Sequence, residues 1–305
     1  MSVSAADSAD SAVPATRSST WQRGPLIAVV VTIVLWSSAF IGIRYAAPYF
    51  SAGPLALLRL AVGTGALGAV ALARRDPLPQ GRDWFPILTI GVLWFGVYNV
   101  ALNAGEQVLD AGTASMVINI SPILIAVGAA WILKEGFTKS LGIGLVVAFA
   151  GSVVVGFASS GEGSSAPVIG VLLCVLAAVV YAISVILQKG VLKRVSAIQV
   201  TFLACATGLL CTLPFAPQLV GQLTVAPASV TWSVVYLGLF PTAIAFTTWA
   251  YALRSIPAGR LGVTTYAVPV LVVLMSWALL SEIPSWGAFV GGFLCLAGVA
   301  IARRR

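Results

Sequence analysis

Histidine is absent, only 9% of the 305 residues carry charge, and there are 4 cysteines and 9 acidic residues. Without histidine, and with no CxxC spacing among Cys174, Cys205, Cys211 and Cys295, the chain lacks a ligand set for a structural or catalytic metal. The four cysteines all fall inside apolar runs and read as small core residues. With neither an aspartate cluster nor a histidine-activated nucleophile, an enzyme is not expected, and no cofactor is implied. The shortage of charge is the more telling absence. Soluble chains are about one-quarter charged, whereas this one is 59% apolar or aromatic with a mean hydropathy of +1.02. An ordinary soluble domain is excluded, and the missing charge points to a bilayer.

Each spanning helix needs about 20 apolar residues. Apolar runs between charged or Pro/Gly breaks predict spans near 26–45, 54–72, 84–104, 111–133 and 139–157. Five more follow near 167–187, 197–216, 230–252, 259–280 and 285–302. Residues 1–24 are Ser-, Ala- and Asp-rich, hold no apolar core of a signal peptide, and are expected to form a disordered cytoplasmic tail. A Gly/Ser-rich external linker is expected at 158–166 and a basic terminus at 303–305, which leaves five-helix units at 25–157 and 167–302.

The net charge of +8 raises nucleic acid as a partner, but the positions of the charges give another account. With the N-terminus inside, 15 of the 17 Lys and Arg residues fall in inner segments, and only Arg44 and Arg59 lie toward the outer side. The outer side holds Glu106, Asp110, Glu162 and Glu282. The basic excess is therefore read as topology: a bacterial inner-membrane protein with both termini cytoplasmic, and no nucleic acid. Adding or dropping a central span would put every later basic loop on the wrong side.

Sliding the second half over the first by 147 positions superposes Gly91 on Gly238, Gly112 on Gly259, Pro122 on Pro269, Glu135 on Glu282, Gly144 on Gly291 and Gly151 on Gly298. Nearer the start of each half the offset is 145, matching Trp36 with Tyr181 and Arg44 with Lys189. Five spans per half is an odd number, so the copies cross the membrane in opposite directions. The fold class expected is an all-α integral membrane protein of ten transmembrane helices in two inverted five-helix repeats, an architecture suited to alternating access.

The residues that carry a family likeness are WSSAF at 36–40, LLRL at 57–60, and two closing blocks that begin at Ser121 and Val268. Each block runs from proline to glutamate to a glycine-rich helix. Together they resemble the ten-helix EamA-type members of the drug/metabolite transporter superfamily, over nearly all of 26–302. The chain departs from the family pattern at KEG (134–136) and at Pro241, which stands where the first repeat has Trp94. The resemblance implies a secondary transporter, usually an exporter of amino acids or related metabolites, with a small-molecule substrate and the lipid bilayer as partners.

Polar groups within a span must face protein or a water-filled path. On that basis the candidate substrate-binding residues are Trp36, Ser38, Arg59, Trp94, Tyr98, Asn119, Tyr181, Ser184, Thr242 and Tyr266. Pro122, Pro269 and Pro241 are candidate kinks or gates, the first two leaving the carbonyls of Ile118 and Thr265 free. Asn99 and Asn103 either hold substrate or join helices. Arg59 either snorkels to the outer interface or meets a substrate carboxylate. Glu135 and Glu282 are expected to cap the helix that follows each. No acid lies near a span centre, Glu106 being nearest, so loose coupling or facilitation is expected. A multidrug or nucleotide-sugar carrier and a lipid-modifying enzyme are the alternatives. The aromatic residues favour aromatic amino acids.

Overall fold

In the computed structural model of the protein, residues 23–109, 114, 117–159, 168–280 and 285–304 are described. They form helical rods joined by short turns. In chain order these are α1 (Arg23–Ala46), α2 (Ala52–Arg74), α3 (Gly81–Val108), α4 (Ser121–Ile132, preceded by a turn at 119–120), α5 (Lys139–Ser159), α6 (Val168–Val191), α7 (Ala197–Val225), α8 (Ala228–Ser255), α9 (Ala258–Leu280, broken at 265–266) and α10 (Trp286–Ala302). Eight are long and apolar enough to cross a membrane, and α4 and α10 are shorter apolar helices. The 24 residues of α1 rise about 36 Å at about 1.5 Å each, enough for a hydrocarbon core of about 30 Å. Outward-facing Leu, Val and Phe on these rods are exposed, as expected where the solvent is itself apolar. Trp131, Trp232, Trp277 and Trp286, near span ends, are also exposed.

Contacts between loops show that the rods alternate in direction. At one end Arg194 meets Asp83, Glu135 meets Gly259, and Ser140 Oγ donates to the Arg304 carbonyl. At the other, Ser51 meets Gln222, and Ser285 Oγ donates to the Ala158 carbonyl. The first end carries the basic loops.

The repeat is visible in which residues touch. Helices α5 and α10 pack backbone to backbone. A Cβ on Gly298 would lie 2.4 Å from the Ala148 nitrogen and 2.6 Å from the Gly144 oxygen, and one on Gly151 would lie 2.6 Å from the Gly291 oxygen. Shifting the pair 144/298 by the repeat offset returns the pair 291/151, so the contact is isologous within one chain. Two other pairs are repeat mates that touch each other. Cys295 Sγ donates to the Ala148 carbonyl at 3.5 Å, and Tyr266 Oη to the Asn119 carbonyl at 2.8 Å. The pseudo-two-fold axis passes through both.

The third helix of each half widens into a π-helical stretch, Gly91–Tyr98 in α3 and Gly238–Ile244 in α8, and both stretches begin at matched glycines. Each glycine lies against a backbone of the other half: Gly91 against the Ala204 carbonyl and Gly238 against the Arg59 carbonyl, 2.7 Å from the would-be Cβ in both cases. Side chains take up carbonyls of the widened turns. Asn99 Nδ2 donates to Trp94 (3.1 Å) and Phe95 (3.0 Å), and Thr242 Oγ1 donates to Leu237 (2.9 Å).

Candidate functional site

A turn at 119–120 leads into α4 and another at 265–266 breaks α9, and the two face each other across the axis. Proline explains where helix resumes. Pro122 is at the first turn of α4, where its missing N–H costs nothing, and Pro269 is the third residue of the segment Ala267–Leu280. The expected free carbonyls are a correction. Ile118 O accepts from Ser121 Oγ, and Thr265 O from the Val268 N–H at 2.9 Å. Local bonds satisfy both, so the prolines open the helices without exposing those acceptors.

Around these breaks lies a partly open cavity of about 90 Å³. Its inner part is aromatic. Trp94 is 4.9 Å from Tyr181 and 5.0 Å from Phe246 between ring centroids, and Tyr98 is 5.9 Å from Tyr181. Trp36 meets Phe246 at 5.4 Å and Trp249 at 5.0 Å. Tyr181 Oη and the indole nitrogens of Trp36 and Trp249 are buried without a hydrogen-bond partner among the described residues. The outer part, toward the end away from the basic loops, is walled by Ile43, Leu102, Arg59 and Glu106.

Arg59 is 6% exposed, so it does not snorkel. Its Nε donates to Thr242 Oγ1 at 2.6 Å, and that hydroxyl donates onward to the Leu237 carbonyl. The side chain is thus held by the π-helical segment of the opposite repeat. Glu106 Oε1 is buried with no hydrogen-bond partner among the described residues, in the field of Arg59 and Arg44. Among the described residues no acid stands near a span centre, as the sequence indicates. Glu106 is far along α3 from its centre, yet the cavity extends to it.

Of the sequence candidates, Trp36, Arg59, Trp94, Tyr98, Asn119, Tyr181, Pro122 and Pro269 come together in the cavity wall. The others are placed elsewhere. Ser38 Oγ bonds Tyr236 Oη at 2.7 Å, and Ser184 Oγ donates to Val180 O at 2.6 Å. Thr242 stands behind Arg59, Tyr266 is on the axis, and Pro241 is inside the π-helical stretch of α8. Asn99 and Asn103 join structure: the latter donates to Ala52 O at 3.2 Å. Glu135 is a second correction. Its carboxylate accepts from the Gly259 N–H at 3.4 Å, at the start of α9 rather than of the helix that follows it. Lys134 adopts a left-handed conformation (φ 54°) that turns the chain toward that contact. Glu282 lies outside the described residues. Sequence reasoning missed Phe246 in the wall, although it falls between Thr242 and Trp249 on the helix face they share.

The sequence model of the EamA-like transporter family matches residues 23–157 and again 168–304. The chain belongs to this family. Two relatives whose names state a cargo are similar along almost their whole length. One, from Streptantibioticus cattleyicolor, is named "Probable terminal-alkyne amino-acid exporter" and is 34% identical over 91% of this chain and 93% of its own. Another is the "Aromatic amino acid exporter YddG" of Ancylobacter novellus, 28% identical over 88% of this chain and 93% of its own. The "Uncharacterized transporter YdfC" of Bacillus subtilis is 33% identical over 90% and 89%. A crystal structure of another protein superposes with a TM-score of 0.75 at 24% identity, covering 92% of this chain and 96% of that one, a likeness of fold. The protein is a multi-pass membrane transporter of the EamA family, with a small-molecule substrate.

Proposed function

We propose that the protein exports amino acids, those with aromatic side chains foremost, from the bacterial cytoplasm. It would sit in the inner membrane with both termini cytoplasmic, as the concentration of Lys and Arg in one set of loops supports. The observation that carries the cargo reading is the pairing of a buried guanidinium and a half-buried carboxylate, one oxygen of it buried, with an aromatic floor in one cavity. Arg59 matches a carboxylate, Glu106 an ammonium, and Trp94, Tyr181 and Phe246 a planar side chain. The names of two relatives support the same class. A cationic drug is the second reading, favoured by Glu106 and the aromatic rings alone. A nucleotide sugar fits less well, since Arg59 is the one basic residue in the described cavity wall and a diphosphate calls for several.

Transport of tryptophan, phenylalanine, tryptamine and phenethylamine into inside-out vesicles separates the two. Tryptophan and phenylalanine should be carried, and their decarboxylated amines poorly. A hydrogen bond to a charged group is worth about 1.5–3 kcal/mol, so Arg59→Gln should weaken amino-acid recognition by about 10- to 150-fold. Equal transport of the amines, or stabilisation of the purified protein by lipophilic cations only, would refute the amino-acid reading.

A further inference from the structure

The described cavity occupies the half of the molecule nearer Glu106. In the aromatic layer and on its other side the protein is densely packed, yet the packing includes polar atoms with no hydrogen-bond partner among the described residues. They are Trp36 Nε1, Tyr181 Oη, Trp249 Nε1, and both Gln188 Oε1 and Gln188 Nε2. Gln188 is 0% and Trp249 1% exposed. Burying such atoms unpaired is unfavourable, and folded proteins rarely leave them so. Here they follow one another. The Trp249 ring is 5.0 Å from Trp36 and 6.3 Å from Tyr181, and Gln188 lies two turns beyond Tyr181 on the same face of α6. Where this column ends, Lys189 Nζ donates to the carbonyls of Leu253 (2.5 Å) and Ile256 (2.7 Å) at the end of α8. Those are C-terminal carbonyls, which favour a cation.

The repeat gives these positions a meaning. At the offset of 145, Gln188 is the mate of Ile43 and Tyr181 that of Trp36; at 147, Trp249 is the mate of Leu102. Ile43, Trp36 and Leu102 all line the open cavity. Each unpartnered group of the packed half therefore stands either in the cavity wall or at the position equivalent to a cavity-lining residue. When two inverted halves exchange conformations, the mates of an open wall become the wall of the opposite opening.

We propose that Gln188 and Trp249, with Tyr181, form a second binding wall that faces the basic-loop end and is closed in this structure. Its ligand class follows from its chemistry. The indole N–H and the amide N–H groups are neutral donors and the amide oxygen an acceptor, so the wall takes a carboxylate or a neutral polar group of a small solute and supplies no fixed counter-charge. Lys189 closes this side by holding the end of α8. The proposal rests on alternating opening of the two halves and not on which solute is carried.

Two measurements on full-length protein in vesicles test it. In a chain whose native cysteines are replaced by alanine, Gln188→Cys should react with a membrane-impermeant maleimide from the basic-loop side and not from the other. Phenylalanine transport by Gln188→Leu and by Trp249→Phe should fall at least 10-fold while thermal stability holds or rises, because an unpaired buried group has been removed. Absence of labelling from the basic-loop side, or wild-type transport by both variants, overturns the proposal; packing alone predicts that result. Should wild-type protein fail to carry phenylalanine, the cargo reading fails while the labelling result still decides this one.

Discussion

Thr242 lies outside the cavity wall, yet its hydroxyl is the link between the wall's guanidinium and the backbone of the opposite repeat. It accepts from Arg59 Nε at 2.6 Å and donates to Leu237 O at 2.9 Å. Its methyl group packs against α2, where a Cβ on Gly63 would come within 2.9 Å of Thr242 Cγ2. Thr242→Val keeps the methyl contact and removes both hydrogen bonds, whereas Thr242→Ser does the reverse. The bond to a charged donor is worth about 1.5–3 kcal/mol, and the charge itself remains in the valine variant, so the lower part of that range applies. A factor of 10 per 1.4 kcal/mol then gives a rise in KM for tryptophan of about 10-fold, with kcat less affected. Initial rates into inside-out vesicles measure both constants. The serine variant should stay within about 3-fold of wild type, since it retains the 1.5–3 kcal/mol bond. Wild-type constants for Thr242→Val, or a larger loss in Thr242→Ser than in Thr242→Val, would refute the claim that hydroxyl bonding positions Arg59.

Gly298→Ala should prevent stable folding, because its methyl would sit 2.4 Å from a backbone nitrogen of α5; Gly65→Ala, which meets nothing within 4 Å, should be neutral or add about 1 kcal/mol of helix stability. Detergent thermal unfolding of the two variants side by side checks the contrast. Asn99→Leu strands the Trp94 and Phe95 carbonyls of the π-helical stretch, each worth about 1–3 kcal/mol when buried, and should lower stability by about 2–6 kcal/mol in the same assay. An unchanged unfolding midpoint would mean that the stretch does not need its side-chain donor.

Hydropathy and the placement of few charges made the helical class, the number of spans and the inversion of the repeats legible, because a bilayer punishes polar groups strongly and locally. Contacts between elements were less legible. Glu135 looked like the cap of the next helix in the chain, and only tertiary packing brings the N-terminus of α9 to it. Pro122 and Pro269 each stand just after a turn, but proline reports a missing donor and says nothing of Ser121 Oγ or the Val268 N–H, which take up the carbonyls. Arg59 had two plausible fates near a membrane boundary, and Thr242, 183 positions away, holds it back from the outer interface. Glu106 was visible as a charge at a span end, while its membership of the cavity depends on how deep the cavity reaches. The π-helical stretches have no sequence signature beyond the matched glycines Gly91 and Gly238, and glycine in a tightly packed bundle has many other causes.

The two ends of the molecule are closed by equivalent contacts made with different chemistry. Ser51 and Ser196 are repeat mates at the offset of 145 and precede α2 and α7 respectively. At the end near the described cavity, Ser51 Oγ accepts from Gln222 Nε2 at 2.9 Å, and Tyr45 Oη donates to Ser229 at 3.1 Å, all exposed and neutral. At the basic-loop end, Ser196 Oγ donates to the Asp76 carboxylate at 2.6 Å, and Arg194 grips Asp83 through Nε at 2.7 Å and a terminal nitrogen at 2.5 Å. The Asp83 side chain is 6% exposed, so solvent screens that end of the pair little. Hydrogen bonds to ionised partners are about twice as strong as neutral ones. Two halves of one ancestral design would open to either side at equal cost if their end contacts were equal. They are unequal, and the inequality favours closure at the basic-loop end. The cavity lies on the side where these neutral, exposed contacts join the loops.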